Sequence, residues 1–143
     1  MTHDVNSTRV WKLHASLPSV SGLGESRVDA VVEELNARGW SENDQFAARL
    51  ALTEALENAV EHGNNRVPEK NIELTVVIND SRLFASVSDE GSGFRAEETP
   101  DPTLAENIEQ ISGRGIFLIR NFMTNVWYNE AGNTIYMEKI PSH

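Results

Sequence analysis

The stretch from Leu52 to Asn65, LTEALENAVEHGNN, most constrains what this chain can fold into. It is dense in alanine and leucine and contains no proline, so it is predicted to form a helix. At about 100° per residue, Glu54, Asn58 and His62 lie within about 80° of one another on one stripe of that helix. The stripe offers a base, a neutral oxygen ligand and a hydrogen-bond donor. Gly63 is predicted to end the helix as a left-handed C′ glycine.

The stripe does not settle the function by itself, because any surface helix of a globular protein carries polar residues beside an apolar side. A solvated helix face with a chance order of glutamate, asparagine and histidine fits these residues equally well. Both interpretations stay open until two glycine-containing loops later in the chain are considered.

Length and charge limit the class of protein and of ligand. Residues 1–143 are predicted to form one domain with a sizeable core. The chain has no cysteine, no charged-then-apolar leader and no apolar run of membrane-spanning length, so we expect a cytoplasmic protein without disulfides or a membrane partner. The net charge of −10, from 12 basic and 22 acidic residues, disfavours direct binding to nucleic acid. It leaves a nucleotide possible as ligand, because local amides and a metal can outweigh the overall field.

Hydrophobic periodicity and turn signals predict the order strand, helix, helix, hairpin, lid, helix, hairpin. The predicted strands span 9–15, 72–79, 83–88, 124–129 and 133–139. The first helix opens at Pro18 and stops between 36 and 39, the second spans roughly 42–62 after the N-cap Ser41, and the third opens at Gly113. Residues 95–112 have the length of a lid. This order predicts an α/β (α+β) two-layer sandwich, with helices covering one face of a mixed, mostly antiparallel sheet.

The first glycine-containing loop is Asp89-x-Gly91-x-Gly93, directly after a predicted strand. Glycine lets the backbone approach a ligand closely. An aspartate carboxylate only accepts hydrogen bonds, and the amino group of adenine donates two, so Asp89 is a candidate adenine reader. A tight turn with an Asx cap has the same composition, and the motif alone does not distinguish the two.

The second loop is Gly113-Arg114-Gly115, just before an apolar helix. Backbone amides at a helix N-terminus carry partial positive charge and suit phosphate, and Arg114 could add a cation. An ordinary glycine-rich helix start would look the same.

Together the three motifs indicate a nucleotide triphosphate site. A triphosphate requires Mg²⁺, and the side-chain oxygen of Asn58 together with phosphates and waters is an adequate ligand set. Glu54 lies one helical turn earlier and could accept a proton from an attacking hydroxyl or water.

In this order and spacing the motifs resemble those of the GHKL (Bergerat-fold) ATPases, and among these the stand-alone anti-sigma-factor serine/threonine kinases of bacteria. The N box corresponds to EALENAVEHG from Glu54 to Gly63, and the first glycine box to DEGSGF from Asp89 to Phe94. The second glycine box corresponds to GRGIFLIR from Gly113 to Arg120, and GNTIY from Gly132 is similar to the family's final threonine-bearing hairpin. The second box favours the anti-sigma branch over the histidine-kinase branch.

The resemblance implies a role for each matching residue. It makes Glu54 the general base for the substrate serine, Asn58 the Mg²⁺ ligand, and Asp89 the adenine reader, supported by Thr134 directly or through water. Gly91 and Gly93 would let the nucleotide approach, and His62 would lie near the phosphates or beneath the lid. The phosphates would be lined by Gly113, Arg114, Gly115, Ile116 and Phe117. Arg27 matches a first-helix arginine that contacts the sigma factor or its competing antagonist.

These roles imply an ATP- and Mg²⁺-dependent serine/threonine protein kinase that acts as an anti-sigma factor. Its substrate would be an anti-anti-sigma protein of the STAS type, and it would otherwise sequester a sigma factor, so that phosphorylation switches partners. The resemblance also implies a homodimer. Two alternatives remain at this stage: a catalytically weak, ATP-binding partner-switch module, and the catalytic domain of a split histidine kinase.

Overall fold

The computed structural model describes residues 9–91 and 113–142, and within 113–117 it describes the backbone alone. The strands are β1 (Trp11–Pro18), β2 (Asn71–Asn79), β3 (Arg82–Ser88), β4 (Asn125–Tyr128) and β5 (Thr134–Lys139). The helices are α1 (Glu25–Ala37), α2 (Glu42–Asn58) and α3 (Gly113–Phe122). A π-helical turn, Ala59–Gly63, continues α2. The predicted lid at 95–112 lies outside the described residues.

The strands form one sheet in the order β1-β2-β3-β5-β4, and every pairing between neighbours is antiparallel. The predicted two-layer α/β sandwich is therefore confirmed, while the described part of the chain shows no parallel pair of the kind that a mixed sheet would contain. The connections explain this. Two helices lie between β1 and β2, so the chain reverses its direction an odd number of times and the two strands run antiparallel. One helix lies between β3 and β4, but β5 separates these two strands in the sheet, so they do not pair.

The core lies between the sheet and the helices. Alternate residues of β2 and β3 face it, and they are Ile72, Leu74, Val76, Ile78, Leu83, Ala85 and Val87. Helix positions at three- and four-residue spacing pack against them, including Val28, Val31, Leu35, Ala48, Ala51, Leu52 and Ala55. The two periodicities of the sequence thus meet in one apolar layer. No helix in the described ranges is long and apolar enough to cross a membrane.

The first helix does not open at Pro18, and that prediction is wrong. Pro18 is the last residue of β1 and pairs with Asn71, and α1 begins only at Glu25. Proline is tolerated at the edge strand of a sheet, where its missing N–H interrupts no central ladder. Residues 19–24 therefore form a loop between β1 and α1. This loop lies beside the second helix.

The second helix agrees closely with its prediction. The Ser41 side chain accepts a hydrogen bond from the backbone N–H of Asp44 at 3.1 Å, as an N-cap should. Together α2 and the π-helical turn run from Glu42 to Gly63, so the predicted functional stretch starts inside the helix and ends at its C-terminus.

Candidate functional site

Glu54 and Asn58 lie one turn apart at the C-terminal end of α2. Both side chains are partly exposed. Within the described ranges neither makes a hydrogen bond or an ion pair, so the carboxylate and the amide are available to a ligand. The amide oxygen of Asn58 is a hard neutral donor of the kind that Mg²⁺ accepts, and the free carboxylate of Glu54 can take a proton. The residues present therefore fit a Mg²⁺–nucleotide.

After Asn58 the helix widens into the π-helical turn, whose signature is the hydrogen bond from Asn64 N–H to Ala59 O at 2.9 Å. Such turns are frequent at functional sites. His62 lies in this turn with its imidazole half exposed, and its Nε2 is 3.7 Å from Oε1 of Glu61. The structure thus places His62 at the same end of the helix as Glu54 and Asn58, on an exposed position.

Gly63 ends the helix for a different reason from the predicted one. Its φ is not in the left-handed region, which is adopted instead by Asn65 (52°) and Arg66 (60°). A Cβ at Gly63 would lie 2.2 Å from both Cγ and Oδ2 of Asp89. The C′-cap prediction is therefore wrong: this position is glycine because the carboxylate of Asp89 packs directly against its backbone.

The first glycine box meets the end of the helix in a second place. A Cβ at Gly91 would lie 2.1 Å from the carbonyl oxygen of Gly63. Gly63 and Gly91 therefore bring two backbone segments into a contact that no larger residue would allow. Gly93 lies outside the described residues.

Hydrogen bonds hold both the backbone and the side chain of Asp89. Its backbone N–H donates to the carbonyl of Asn133 at 2.9 Å, and its Oδ1 accepts from the backbone N–H of Gly91 at 2.8 Å. Burial raises the pKa of the Asp89 carboxyl, and the Gly91 hydrogen bond and the charge of Lys70 oppose that rise. The result is a fixed, partly desolvated acceptor, which suits recognition of an amino group.

The β4–β5 hairpin supports Asp89 through residues that the sequence analysis missed in part. Thr134, which is 8% exposed, pairs its hydroxyl with that of Ser88 at 2.8 Å, directly before Asp89. The side-chain oxygen of Asn129 accepts from the backbone N–H groups of Gly132, Asn133 and Thr134 at 2.8–3.1 Å. Thr134 was predicted. Asn129 was not, although an asparagine before a glycine turn is an available signal.

Tyr128 is a second residue that sequence reasoning missed. It lies at the end of β4, and burial together with the charge of Asp89 raises the pKa of its phenol well above the ordinary value, while Arg120 opposes the rise. The phenol of Tyr128 therefore stays protonated, within the electrostatic influence of the candidate base-reading carboxylate.

The second glycine box opens α3, as predicted, because the helix begins at Gly113. The buried Ile119 anchors this helix, and α3 packs along α2. The first turn of α3 therefore belongs to the same helical layer as Glu54 and Asn58. The phosphate-binding roles of Arg114, Ile116 and Phe117 stay predictions, because their side chains lie outside the description.

Arg27 lies on the exposed side of α1, and among the described residues its guanidinium makes one hydrogen bond, to the neighbouring Ser26 hydroxyl at 3.3 Å. It is thus available at the surface. Its predicted contact with a partner stays a prediction.

Comparison with known proteins agrees with this geometry. The model of the histidine kinase-like ATPase domain matches residues 24–139. The anti-sigma F factor of Geobacillus sp. (strain WCH70) is 32% identical over 96 residues, which are 64% of this chain and 66% of that protein. The anti-sigma F factor of Bacillus cytotoxicus is 31% identical over 100 residues, 66% of this chain and 68% of its own length. The matched stretch thus spans about two thirds of these curated relatives.

The fold is shared with a solved structure. The crystal structure of the RsbU and RsbW domains of Rv1364c from Mycobacterium tuberculosis superposes with a TM-score of 0.62 at 18% identity, covering 93% of this chain and 33% of that one. The family expected from the three motifs is thereby confirmed. The chain belongs to the histidine kinase-like (GHKL) ATPase family, with anti-sigma factors among its relatives.

Proposed function

We propose that this protein is an ATP-dependent serine/threonine kinase that acts as an anti-sigma factor. The observation that carries the proposal is the contact between Asp89 and Gly63. It joins a fixed carboxylate acceptor to the end of the helix that carries Glu54 and Asn58. A candidate base-reading group and two partly exposed, oxygen-bearing side chains are thereby linked in one part of the fold.

The adenine end of the site uses Asp89. Its ionised carboxylate would accept a hydrogen bond from the 6-amino group of adenine, and the glycines at 63 and 91 allow the carboxylate and its turn to pack against the end of the helix. Thr134 supports this arrangement through Ser88. The match to an ATPase domain and the chemistry of an acceptor-only reader both support ATP as the nucleotide.

The phosphate end uses Asn58, the first turn of α3 and Glu54. Asn58 would hold Mg²⁺, which neutralises charge on the phosphates when it is bound. Amides at the N-terminus of α3 would face the phosphates. The serine hydroxyl oxygen forms a bond to the γ-phosphorus while the bond to the β–γ bridging oxygen breaks and ADP leaves. The hydroxyl proton passes to the carboxylate of Glu54.

The partners follow from the relatives. The anti-sigma F factors that this chain resembles support a sigma factor as one partner, and a STAS-type anti-anti-sigma protein would be the phosphorylated substrate. Exposed Arg27 is our proposed contact with both. Phosphorylation adds up to two negative charges to the substrate and would release it, which frees this surface for the sigma factor. We also propose a homodimer.

The kinase proposal is tested by phosphotransfer from ATP labelled at the γ-phosphate to STAS proteins of the same genome, using the full chain and a Glu54→Gln variant. Transfer should fall by about 10²- to 10⁴-fold in Glu54→Gln while ATP affinity stays nearly unchanged, because a general base acts in the transition state. Glu61→Gln is the matched control: Glu61 lies two turns along the same helix in an exposed ion pair with Arg66.

The other outcomes separate the alternatives. Equal transfer by Glu54→Gln and wild type would contradict the role of Glu54. Intact ATP after long incubation with every STAS candidate would identify a partner switch without catalysis. Acid-labile label on a histidine would identify a split histidine kinase, because phosphoserine survives acid.

A further inference from the structure

Asn64 lies immediately after the π-helical turn and is 0% exposed, although no step of the proposed chemistry uses it. Its amide nitrogen donates to Ser19 Oγ at 2.7 Å and to the carbonyl of Asn71 at 3.1 Å. Its amide oxygen accepts from the backbone N–H of Glu90 at 2.7 Å. Each hydrogen bond reaches a different segment, so this one side chain connects three parts of the fold.

The bond to Glu90 acts on the base-reading turn. Glu90 lies between Asp89 and Gly91, and its own carboxylate accepts from the backbone N–H of Asn71. The turn is thus held at Asp89 by Asn133 and at Glu90 by Asn64. Loss of the Asn64 oxygen would leave the partly buried Glu90 N–H without this partner and release one of the hydrogen bonds that hold the turn at Asp89 and Glu90.

The bond to Ser19 acts on the loop between β1 and α1. Ser19 is buried and also donates to the carbonyl of Lys70 at 2.6 Å. It opens a loop whose Val20 and Leu23 are 42% and 47% exposed. The carboxylate of Glu57 holds the same loop, accepting from the Ser21 hydroxyl at 2.7 Å and the Gly22 N–H at 3.2 Å.

We propose that Asn64 is a positioning residue: through Glu90 it sets the orientation of Asp89, and through Ser19 it makes that orientation depend on the exposed β1–α1 loop. This inference rests on the proposed nucleotide site and adds a physical connection between that site and the surface that leads into α1 and Arg27. A protein that binds this surface would thereby act on nucleotide recognition.

The test compares affinities of the full chain for Mg·ATP and Mg·inosine triphosphate, which differ in having an amino group or a carbonyl oxygen at position 6 of the base. A residue that only stabilises the fold would change both affinities alike. A residue that positions Asp89 changes their ratio. The variants are Asn64→Ala and Ser19→Ala, and the matched control is Asp44→Asn. Asp44 is also buried and is tied to Ser142, but it lies roughly 30 Å before Asn64 along the helix.

Wild type should prefer ATP by about tenfold or more, as expected for a hydrogen bond to a charged group. Asn64→Ala should bring the ratio to within about threefold of parity, Ser19→Ala should lower it by about two- to threefold, and Asp44→Asn should keep it. Folded Asn64→Ala and Ser19→Ala proteins with the wild-type ratio would overturn the inference and leave the proposed function intact.

Two further results are decisive. If Asn64→Ala does not fold, Ser19→Ala carries the test, because it keeps the contact between Asn64 and Glu90 while it removes the Ser19 hydrogen bonds to Asn64 and to the Lys70 carbonyl. An unchanged ratio there overturns the inference. Wild type that binds neither nucleotide would instead overturn the proposed function, and the inference with it.

Discussion

The two ends of the candidate site are built differently. Around Asp89, the side chains of Asn64, Asn129 and Thr134 are buried or partly buried and fully engaged in hydrogen bonds. The side chains of Glu54 and Asn58 are partly exposed and find no partner among residues 9–91 and 113–142. The base-reading end is thus assembled before any ligand arrives, whereas the phosphate end offers groups that a nucleotide, a metal and a substrate would complete.

This difference has an energetic consequence. Buried hydrogen-bonded groups contribute to the free energy of unfolding and are costly to remove, while an unpartnered exposed group contributes little. Substitutions at the base-reading end should therefore change stability and binding together, and those at the phosphate end should change metal binding or phosphate transfer with little effect on stability.

The largest expected effect on stability is at Asn129. Asn129→Ala removes the acceptor of three backbone N–H groups in the β4–β5 turn, and we expect the free energy of unfolding to fall by about 2 kcal/mol. Urea denaturation measures this. Asn125→Ala on the same hairpin is the control, since Asn125 is exposed and, within the described ranges, its side chain makes a single hydrogen bond, to the Glu138 side chain. An equal loss of stability in the two variants would contradict the claim that the hydrogen bonds of Asn129 stabilise the base-reading end.

The pH dependence of nucleotide affinity is the next effect in size. Because burial raises the pKa of Asp89, its carboxylate protonates at a higher pH than an ordinary aspartate, and ATP affinity should fall by up to about tenfold per pH unit below that pKa. The stability of the free protein should move the other way. A folded pKa above the unfolded one favours the native state at low pH, and this contribution is lost as the pH rises through the folded pKa.

Calorimetry across acidic pH, repeated with Asp89→Asn, separates this titration from that of ATP itself. A wild-type affinity with the same pH profile as the variant would show that Asp89 does not titrate at the site.

Thr134→Val should have a smaller effect. It removes the hydroxyl that pairs with Ser88, and ATP affinity should weaken by about 1 kcal/mol, or roughly fivefold. Thr75→Val is the control because the Thr75 hydroxyl bonds to exposed His14 on the opposite side of the sheet from the helices. Unchanged ATP affinity in Thr134→Val would remove Thr134 from the support of Asp89.

The smallest expected effect on stability is at the phosphate end of the site. Glu54→Gln and Asn58→Ala should change the free energy of unfolding by no more than about 0.5 kcal/mol, since neither side chain has a partner to lose in the part of the chain that the structure describes. Thermal unfolding checks this. A destabilisation as large as that of Asn129→Ala would mean that the phosphate end is also preorganised.

The same contrast explains how far the sequence predicts this molecule. Periodicity in β2, β3 and α2 reflects local geometry, so the elements, the apolar layer and the Ser41 cap were predictable. Gly63 was assigned to a helix cap because local sequence offers only that explanation, whereas the actual neighbour, Asp89, follows much later in the chain. Asn64 was missed for the same reason: its partners Ser19 and Glu90 become neighbours only after folding.

Pro18 teaches a related lesson. A proline before serine residues is a helix-start signal in isolation, but here strand pairing with β2 continues to Pro18 and delays α1 to Glu25. Tertiary pairing overrode a local preference. The candidate site residues that the sequence predicts, Glu54, Asn58 and Asp89, are those whose chemistry and spacing resemble a family motif.

The most direct measurement is calorimetric titration of ATP with Mg²⁺ into wild type and Asp89→Asn. Asparagine presents donors as well as an acceptor to the 6-amino group, so the variant should lose about 1–3 kcal/mol of binding free energy, roughly ten- to a hundredfold in Kd. Binding by wild type with this loss in the variant is the result that a preassembled adenine site predicts. Wild type that binds ATP no better than Asp89→Asn, or not at all, would contradict it.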